Sequence, residues 1–297
     1  MLVRIVVAKR VSYLTAKMLQ VAKWEALSEK RIMTKRLALL IFAAATSVTH
    51  AQESKSSPVG ETALMHKEMG DFATNIKVHA DVSPASAKAR PVLQKTPIFR
   101  WTNPERKTDV GNVFLWTIDG RPHATLGIWP EGSKYGYEMQ SFAPKPFLVE
   151  FANGEKWKQR TGALEFRKLA DEKKPGKSAT RRLIEMRKIV RTRFRGRVQD
   201  WDRKNPGQLR LLPNPLYRYG EVKPKNVVDG AIFAFALGTD PEMLVLLEAR
   251  QDPKSAELAW YYALGSATLY FLDAYLDDKH VWTDRMKIRD RTYFMRY

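Results

Sequence analysis

The amino-acid sequence predicts a mainly β fold of the α+β class: two antiparallel β-meanders, packed as a sandwich or a partly closed barrel and joined by one basic amphipathic helix near residues 178–201. Three observations predict it. Runs of β-branched and aromatic residues end at turn pairs through most of residues 97–297. One segment breaks that pattern with apolar residues at three- and four-residue steps. The first meander also aligns with the second when Gly111 is set against Gly230.

Order is expected from Pro97-Ile-Phe-Arg-Trp101 onward. Val113–Ile118 is a strand ending at the turn pair Asp119-Gly120, and a second strand, Pro122–Trp129, follows at once. Tyr135–Phe142 alternates like a half-buried strand. Residues 146–152 and 155–160 flank Asn153-Gly154, the strongest local hairpin signal in the chain. Leu183, Met186, Ile189, Val190, Phe194, Val198 and Trp201 then mark one stripe of a helix, with Ser178 or Thr180 as N-cap and Gly196 weakening its last turns. Strands resume over 208–212, 216–219, 231–237, 258–264 and 268–276, and Asp277-Asp278-Lys279 turns into a strand over 280–283.

Residues 241–250 read two ways. Thr239-Asp-Pro-Glu242 is a good helix start, whereas the internal alignment makes the segment a strand. That alignment pairs Val113 with Ile232, Phe114 with Phe233, Trp116 with Phe235, Ile118 with Leu237, Pro122 with Pro241 and Ile128 with Leu247 without a gap. After small insertions it pairs Phe142-Ala143 with Tyr262-Ala263 and Trp157 with Trp282. The competing explanation is that any two meanders share apolar alternation and turn residues.

Upstream, Met33-Thr-Lys-Arg36 supplies a positive n-region, Leu37–Ala45 an apolar h-region, and Thr46–Ala51 a polar exit ending at Ala51-Gln52. This is the anatomy of a cleaved signal peptide, too short to span a bilayer as a helix, so the mature chain is expected to be exported to the periplasm, cell envelope or exterior with no transmembrane helix. Residues 1–32 precede that segment, which predicts a misplaced start with translation from Met33. Residues 52–96, rich in Ser, Ala, Lys and Pro, read as a flexible tether in which a short helix over 61–77 is not required. One β-rich domain over 97–297 follows.

The chain has no cysteine, which excludes disulfides, thiolate metal sites and cysteine nucleophiles. Its net charge of +19 is local, because residues 155–204 carry eighteen Lys or Arg against seven acidic residues. On the predicted helix, Arg181, Arg182, Arg187, Lys188, Arg191, Arg193, Arg195 and Arg197 occupy the circumference left by the apolar stripe. Of these, Arg181, Arg182, Arg187, Lys188, Arg191 and Arg195 form the candidate anion-binding set. A solvated face is the bland reading, and docking to lipid headgroups or an acidic envelope polymer the sharper one. Export separates the protein from the chromosome, so no nucleic-acid partner is expected.

No phosphate-cradling loop, dinucleotide fingerprint, nucleophile elbow or His-Glu-x-x-His site occurs. No cofactor, metal site or assigned catalytic residue is therefore expected. Of the histidines, His123 and His280 fall in the predicted domain, each beside a turn where a packing or solvated role is commonest. The remaining candidates for acid–base chemistry are Glu138, Glu150, Glu248 and Asp273, all on predicted strands.

Leu209-Arg-Leu-Leu-Pro-Asn-Pro-Leu-Tyr-Arg-Tyr219, Asp229-Gly-Ala-Ile-Phe-Ala-Phe235, Gly238-Thr-Asp-Pro-Glu242 and Leu246-Leu-Glu-Ala-Arg250, together with Phe99–Pro104 and Gly111–Pro122, resemble a family of uncharacterised exported proteins from planctomycete bacteria. The resemblance covers the last two-thirds of the chain. It implies export and one domain, and supplies no catalytic residues. The sequence thus leads to a non-enzymatic envelope or periplasmic domain that binds an anionic partner through its basic helix. Its rivals are an envelope hydrolase built on a carboxylate pair or His123, and a structural subunit of an exported assembly.

Overall fold

Left-handed backbone at Asp119 (φ 51°) and Gly120 (φ 77°), and at Gly154 (φ 81°), turns the chain where the Asp-Gly and Asn-Gly pairs predict. The computed structural model describes residues 58–82, 90–159, 164–199, 206–221, 226–252, 257–285 and 292–296, all within the compact unit Ser56–Tyr297. The predicted misplaced start, the signal peptide with its cleavage point, and Trp201 lie outside the described residues.

The first half runs α1 (Pro58–Thr74), β1 (Lys77–Val78), β2 (Val92–Leu93), β3 (Phe99–Asn103), a 3-10 turn (Pro104–Arg106), β4 (Thr108–Ile118), β5 (Arg121–Glu131), β6 (Lys134–Ser141), β7 (Leu148–Glu150) and β8 (Lys156–Lys158). After β9 (Arg167–Lys168), the second half repeats the order. It runs α2 (Ala179–Arg193), β10 (Phe194–Gln199), β11 (Gly207–Gln208), β12 (Arg210–Leu211), β13 (Tyr217–Tyr219), β14 (Val227–Leu237), β15 (Asp240–Gln251), β16 (Leu258–Ser266), β17 (Phe271–Leu276) and β18 (Lys279–Asp284). A last strand, β19 (Thr292–Arg296), pairs with β6. The chain is mainly β, as predicted, and residues 241–250 are strand.

The two halves share registers as well as order. Trp101 pairs with Gly111 in the first, and Tyr219 with Gly230 in the second. The β4–β5 ladder shifts register between Trp116 and Thr117, and the β14–β15 ladder at the aligned place, between Phe235 and Ala236. Val149 faces Trp157, and Ala274 faces Trp282, so the Trp157–Trp282 match holds. One part of the sequence alignment needs correction. Ile128 faces Tyr137 and its counterpart Leu247 faces Tyr262, so Tyr262 corresponds to Tyr137, not to Phe142.

Alternation along the long strands divides the core into three. In the first half, Phe114, Trp116, Leu126 and Ile128 point towards α1 and the small sheet β1-β7-β8, burying Met69 and Ala73 with Val149 and Trp157. In the second, Phe233, Phe235, Val245 and Leu247 do the same towards α2 and the small sheet of β10, β17 and β18, burying Met186, Ile189, Val190 and Leu272. The opposite faces meet each other through Leu115, Phe142, Ile232, Ala234, Leu244 and Leu246. At about 25 cal/mol per Å2 of apolar surface buried, this middle layer supplies the non-directional attraction between the halves.

Two sequence expectations fail locally. The helix expected over 178–201 ends at Arg193, and 194–199 is strand, because β10 completes the ladder with β17. Phe194 and Val198 misled the helix reading, since a spacing of four satisfies both periods. The helix does begin as predicted, with the Ser178 side chain accepting from the Arg181 N–H. The stretch read as a tether contains α1 and β1. Met65, Met69, Phe72, Ala73 and Ile76 form a narrow helical stripe, thin in count but correctly spaced, and all pack into the first core. No helix among the described residues is long and apolar enough to cross a membrane.

Candidate functional site

The face between the halves is apolar in the middle and polar towards its ends. At one end the halves touch through Thr102 and Thr239, whose backbone and side-chain groups exchange hydrogen bonds at 2.7–3.1 Å. Just beyond lies a cavity of about 440 Å3, within the range of small-molecule sites. The first half supplies Trp101 from β3, Arg106 from the 3-10 turn and Lys107 just after it, Trp129 and Glu131 from β5, and Glu138 from β6. The second supplies Asp240 at the start of β15, and Thr268–Tyr270 between β16 and β17.

Glycine positions two of these walls. A Cβ on Gly111 would lie 2.2 Å from the Trp101 ring, and one on Gly136 2.6 Å from the Trp129 ring, so each indole lies flat on bare backbone. The two rings stand 6.1 Å apart and tilted by 51°. Tyr270 forms a third wall, with the Arg106 guanidinium 4.1 Å from its ring centre.

Beneath these walls sit three carboxyl groups and one guanidinium. Asp240 and Glu242, the latter at the register shift between Pro241 and Met243, both reach Arg106. Arg106 bonds both, at 3.1 Å to Asp240, and the Asn103 side-chain amide donates to Asp240 at 3.1 Å. The Glu138 side chain makes no hydrogen bond or salt bridge among the described residues. Burial, followed by the charges of Asp240 and Glu242, drives its carboxyl well above the usual range, and Arg106 offsets this only in part. Burial and the Glu242 charge raise Asp240 as well, against the pull of Asn103 and Arg106. Glu138 therefore keeps its proton to higher pH than an ordinary carboxyl and lines the cavity. Among the described residues no three acidic or histidine side chains converge tightly enough to hold a metal ion.

The repeat supplies an internal control, because the same place exists at the other end of the interface. There Tyr219 lies on Gly230 as Trp101 lies on Gly111. By the shared register, Glu248 stands for Trp129, Arg250 for Glu131, Arg121 for Asp240 and Ala263 for Glu138. That end is closed. Glu248 is fully buried, bonded twice by Arg121 (2.8 and 3.3 Å), by Tyr219 (2.6 Å) and by Arg250, and both arginines lie on the Phe166 ring. Both Glu248 oxygens are answered there, whereas its counterpart keeps an open cavity.

Most residues singled out by sequence lie elsewhere. Arg182 is buried and bonds Asp229 at 2.9 Å and the carbonyls of Gly176 and Lys177, so it fastens α2 to β14. Arg181 pairs with Glu185, and Arg187 bonds Asn214. Arg193, on the same helix, pairs with Asp277 and Glu172. Exposed Lys188, Arg191 and Arg195 form no salt bridge, and Arg195 stands on β10 rather than on a helix. Internal pairing thus halves the predicted anion-binding set. The carboxylate candidates fall into separate clusters. Glu150 pairs with Lys156 on the surface, Glu248 belongs to the closed network, and Asp273 is held by Arg285, His280 and Thr283. Only Glu138 reaches the cavity. His123 is buried 4.7 Å from Phe147 and lines no part of it. Sequence reading missed Asp240, Glu242 and Arg106. Glu242 lies at the register shift of the β14–β15 ladder, where strand alternation does not assign a face, and Arg106 carried no signal. The exposed large apolar residues, Leu64, Val92 and Ile184, lie singly on three elements.

Comparison with family models, with curated proteins and with solved structures finds no match for the chain.

Proposed function

We propose that the protein is an exported, non-enzymatic binding domain that takes a small polar ligand into the cavity between its two halves. The observation that carries the reading is the contrast between the interface's two ends: one closed by a satisfied Glu248 network, the other open, with aromatic walls and a carboxyl left without a partner. Buried polar groups are ordinarily answered within a fold, and a cleft that leaves them unanswered is where a ligand completes the set. The signal-like segment Met33–Ala51 and the resemblance to exported proteins support the compartment. The test is equilibrium dialysis of the folded protein against an extract of its own envelope, read by mass spectrometry. A retained small molecule that is lost in Thr108→Trp, which adds bulk at a residue lining the cavity, is the expected result. Equal retention by both proteins would overturn the reading. Steady conversion of the retained molecule, abolished by Glu138→Gln, would replace binding with acid catalysis by that carboxyl.

A second reading concerns the surface, and rests on Lys188, Arg191 and Arg195 being exposed without acidic partners. It supports docking to an anionic envelope component, lipid headgroup or acidic polymer. Changing the three to Glu should abolish salt-sensitive retention on isolated envelopes, and unchanged retention would contradict it.

A further inference from the structure

We infer that the cavity's ligand is a neutral saccharide, its ring lying against the wall that Trp129 makes with Trp101 and its hydroxyls bonded to Glu138 and Thr108. The inference rests on the binding role proposed for this cavity and names its ligand class.

Hydrogen-bonding capacity is the first argument. The Glu138 carboxyl, the Thr108 hydroxyl and the Lys107 ammonium line the cavity without a hydrogen bond or salt bridge among the described residues. The Thr268 hydroxyl accepts from the Tyr270 N–H at 3.3 Å and keeps its own proton to donate. The set is mixed, because an ammonium only donates, whereas a hydroxyl does both. A hydroxyl on the ligand answers each of these groups. It also answers Glu138 in either protonation state, accepting from the acid and donating to the carboxylate. A cation suits only the ionised carboxyl, and an anion only the protonated one. A hydrocarbon would leave Glu138 desolvated and unpaired.

Shape is the second argument. Trp101 and Trp129 touch, with ring centres 6.1 Å apart and planes tilted by 51°, so together they make one bent apolar wall rather than a slot. Bare backbone at Gly111 and Gly136 backs the two rings and fixes that wall. Trp129 is the more open of the pair, half-buried where Trp101 is buried. A bent wall offers a planar heterocycle no pair of parallel faces. A saccharide ring needs only one face, because its C–H groups carry partial positive charge and lie on the negative face of an indole while its hydroxyls point to the rim. At about 440 Å3 the cavity has room for such a ring with its hydroxyls. The closed end lacks both parts of this arrangement, since Glu248 stands in place of Trp129 and Ala263 in place of Glu138.

A glycan array of neutral and acidic saccharides, probed with the full chain at neutral pH, tests the inference. Isothermal titration follows with the tightest neutral saccharide, with cyclohexanol as an apolar ring bearing one hydroxyl, and with choline. The saccharide should bind at least about tenfold more tightly than either, a difference of about 1.4 kcal/mol. Trp129→Ala and Glu138→Leu should each weaken it at least about tenfold, and Glu138→Gln, whose amide both donates and accepts, should restore most of the Glu138→Leu loss. Thermal unfolding checks that each variant is folded. Glu138→Gln as weak as Glu138→Leu would overturn the part given to the carboxyl. An acidic saccharide, cyclohexanol or choline binding as tightly as the neutral saccharide, and lost in Thr108→Trp, would leave the cavity as the binding site and overturn the ligand class. Neutral saccharide binding unchanged in folded Thr108→Trp would overturn both. An array on which no neutral saccharide retains the protein would overturn the inference, leaving the dialysis experiment to judge the cavity separately.

Discussion

Glu138 is the residue on which the chemistry turns, and its linkage to stability has a definite sign. The unfolded chain ionises it near 4.5, whereas the fold holds its proton to higher pH. The stability due to that proton is complete below 4.5 and is lost as pH rises through the folded value. Asp240 acts in the same sense from 3.8 upward. Wild type should therefore lose stability with rising pH over this window, by at most about 1.4 kcal/mol per pH unit for each group. Glu138→Gln, which stays neutral, should be more stable than wild type at pH 7 and show a shallower slope in urea denaturation. An equal or steeper slope would refute the buried-acid assignment. Arg106 makes the converse case, since Arg106→Met leaves Asp240 and Glu242 without their cation. We expect a loss of roughly 3 kcal/mol at neutral pH, shrinking towards acid pH as the carboxylates take up protons. A pH-independent loss would mean that the charge was screened.

The elements show which sequence signals survive folding and which do not. Gly111→Ala and Gly230→Ala should each cost about 1–3 kcal/mol, because each new methyl meets an aromatic ring at 2.2–2.4 Å. Similar losses at the two positions, measured by denaturation, are what a shared register requires, and a cost at only one would contradict it. Long strands with β-branched and aromatic runs were legible because their period of two matches their burial, and the Asp-Gly and Asn-Gly turns because they need left-handed backbone. Helix α1 was not recognised, since its apolar stripe of Met65, Met69, Phe72 and Ala73 sits in a polar setting, although Met69 is fully buried. Met69→Ala should cost roughly 2–5 kcal/mol. No change on chemical denaturation would restore the tether. The far end of the predicted helix misled for the opposite reason: Phe194 and Val198 are spaced for a helix and for a strand, and only the long-range partner β17 decides between them.

At the scale of the whole molecule, two α-then-β halves face each other, and their ends have diverged. One end carries Arg121, Glu248 and Arg250, which satisfy one another, while the other carries Trp129, Glu138 and Asp240, which surround a cavity. The duplication was visible as the Gly111–Gly230 alignment. The site was not, because it is assembled across both halves from Arg106, Glu138 and Asp240, residues whose meeting depends on how two sheets are set face to face. The basic helix drew attention instead, and folding spends Arg182, together with Arg193, on internal pairs. The most direct test is a crystal structure of the protein purified from its own cells without added ligand. We predict electron density for a small molecule in the cavity lined by Trp101, Trp129 and Glu138, with none at Glu248. An equivalent molecule at the Glu248 end, or a Glu138 carboxyl answered by the protein's own side chains, would contradict the account.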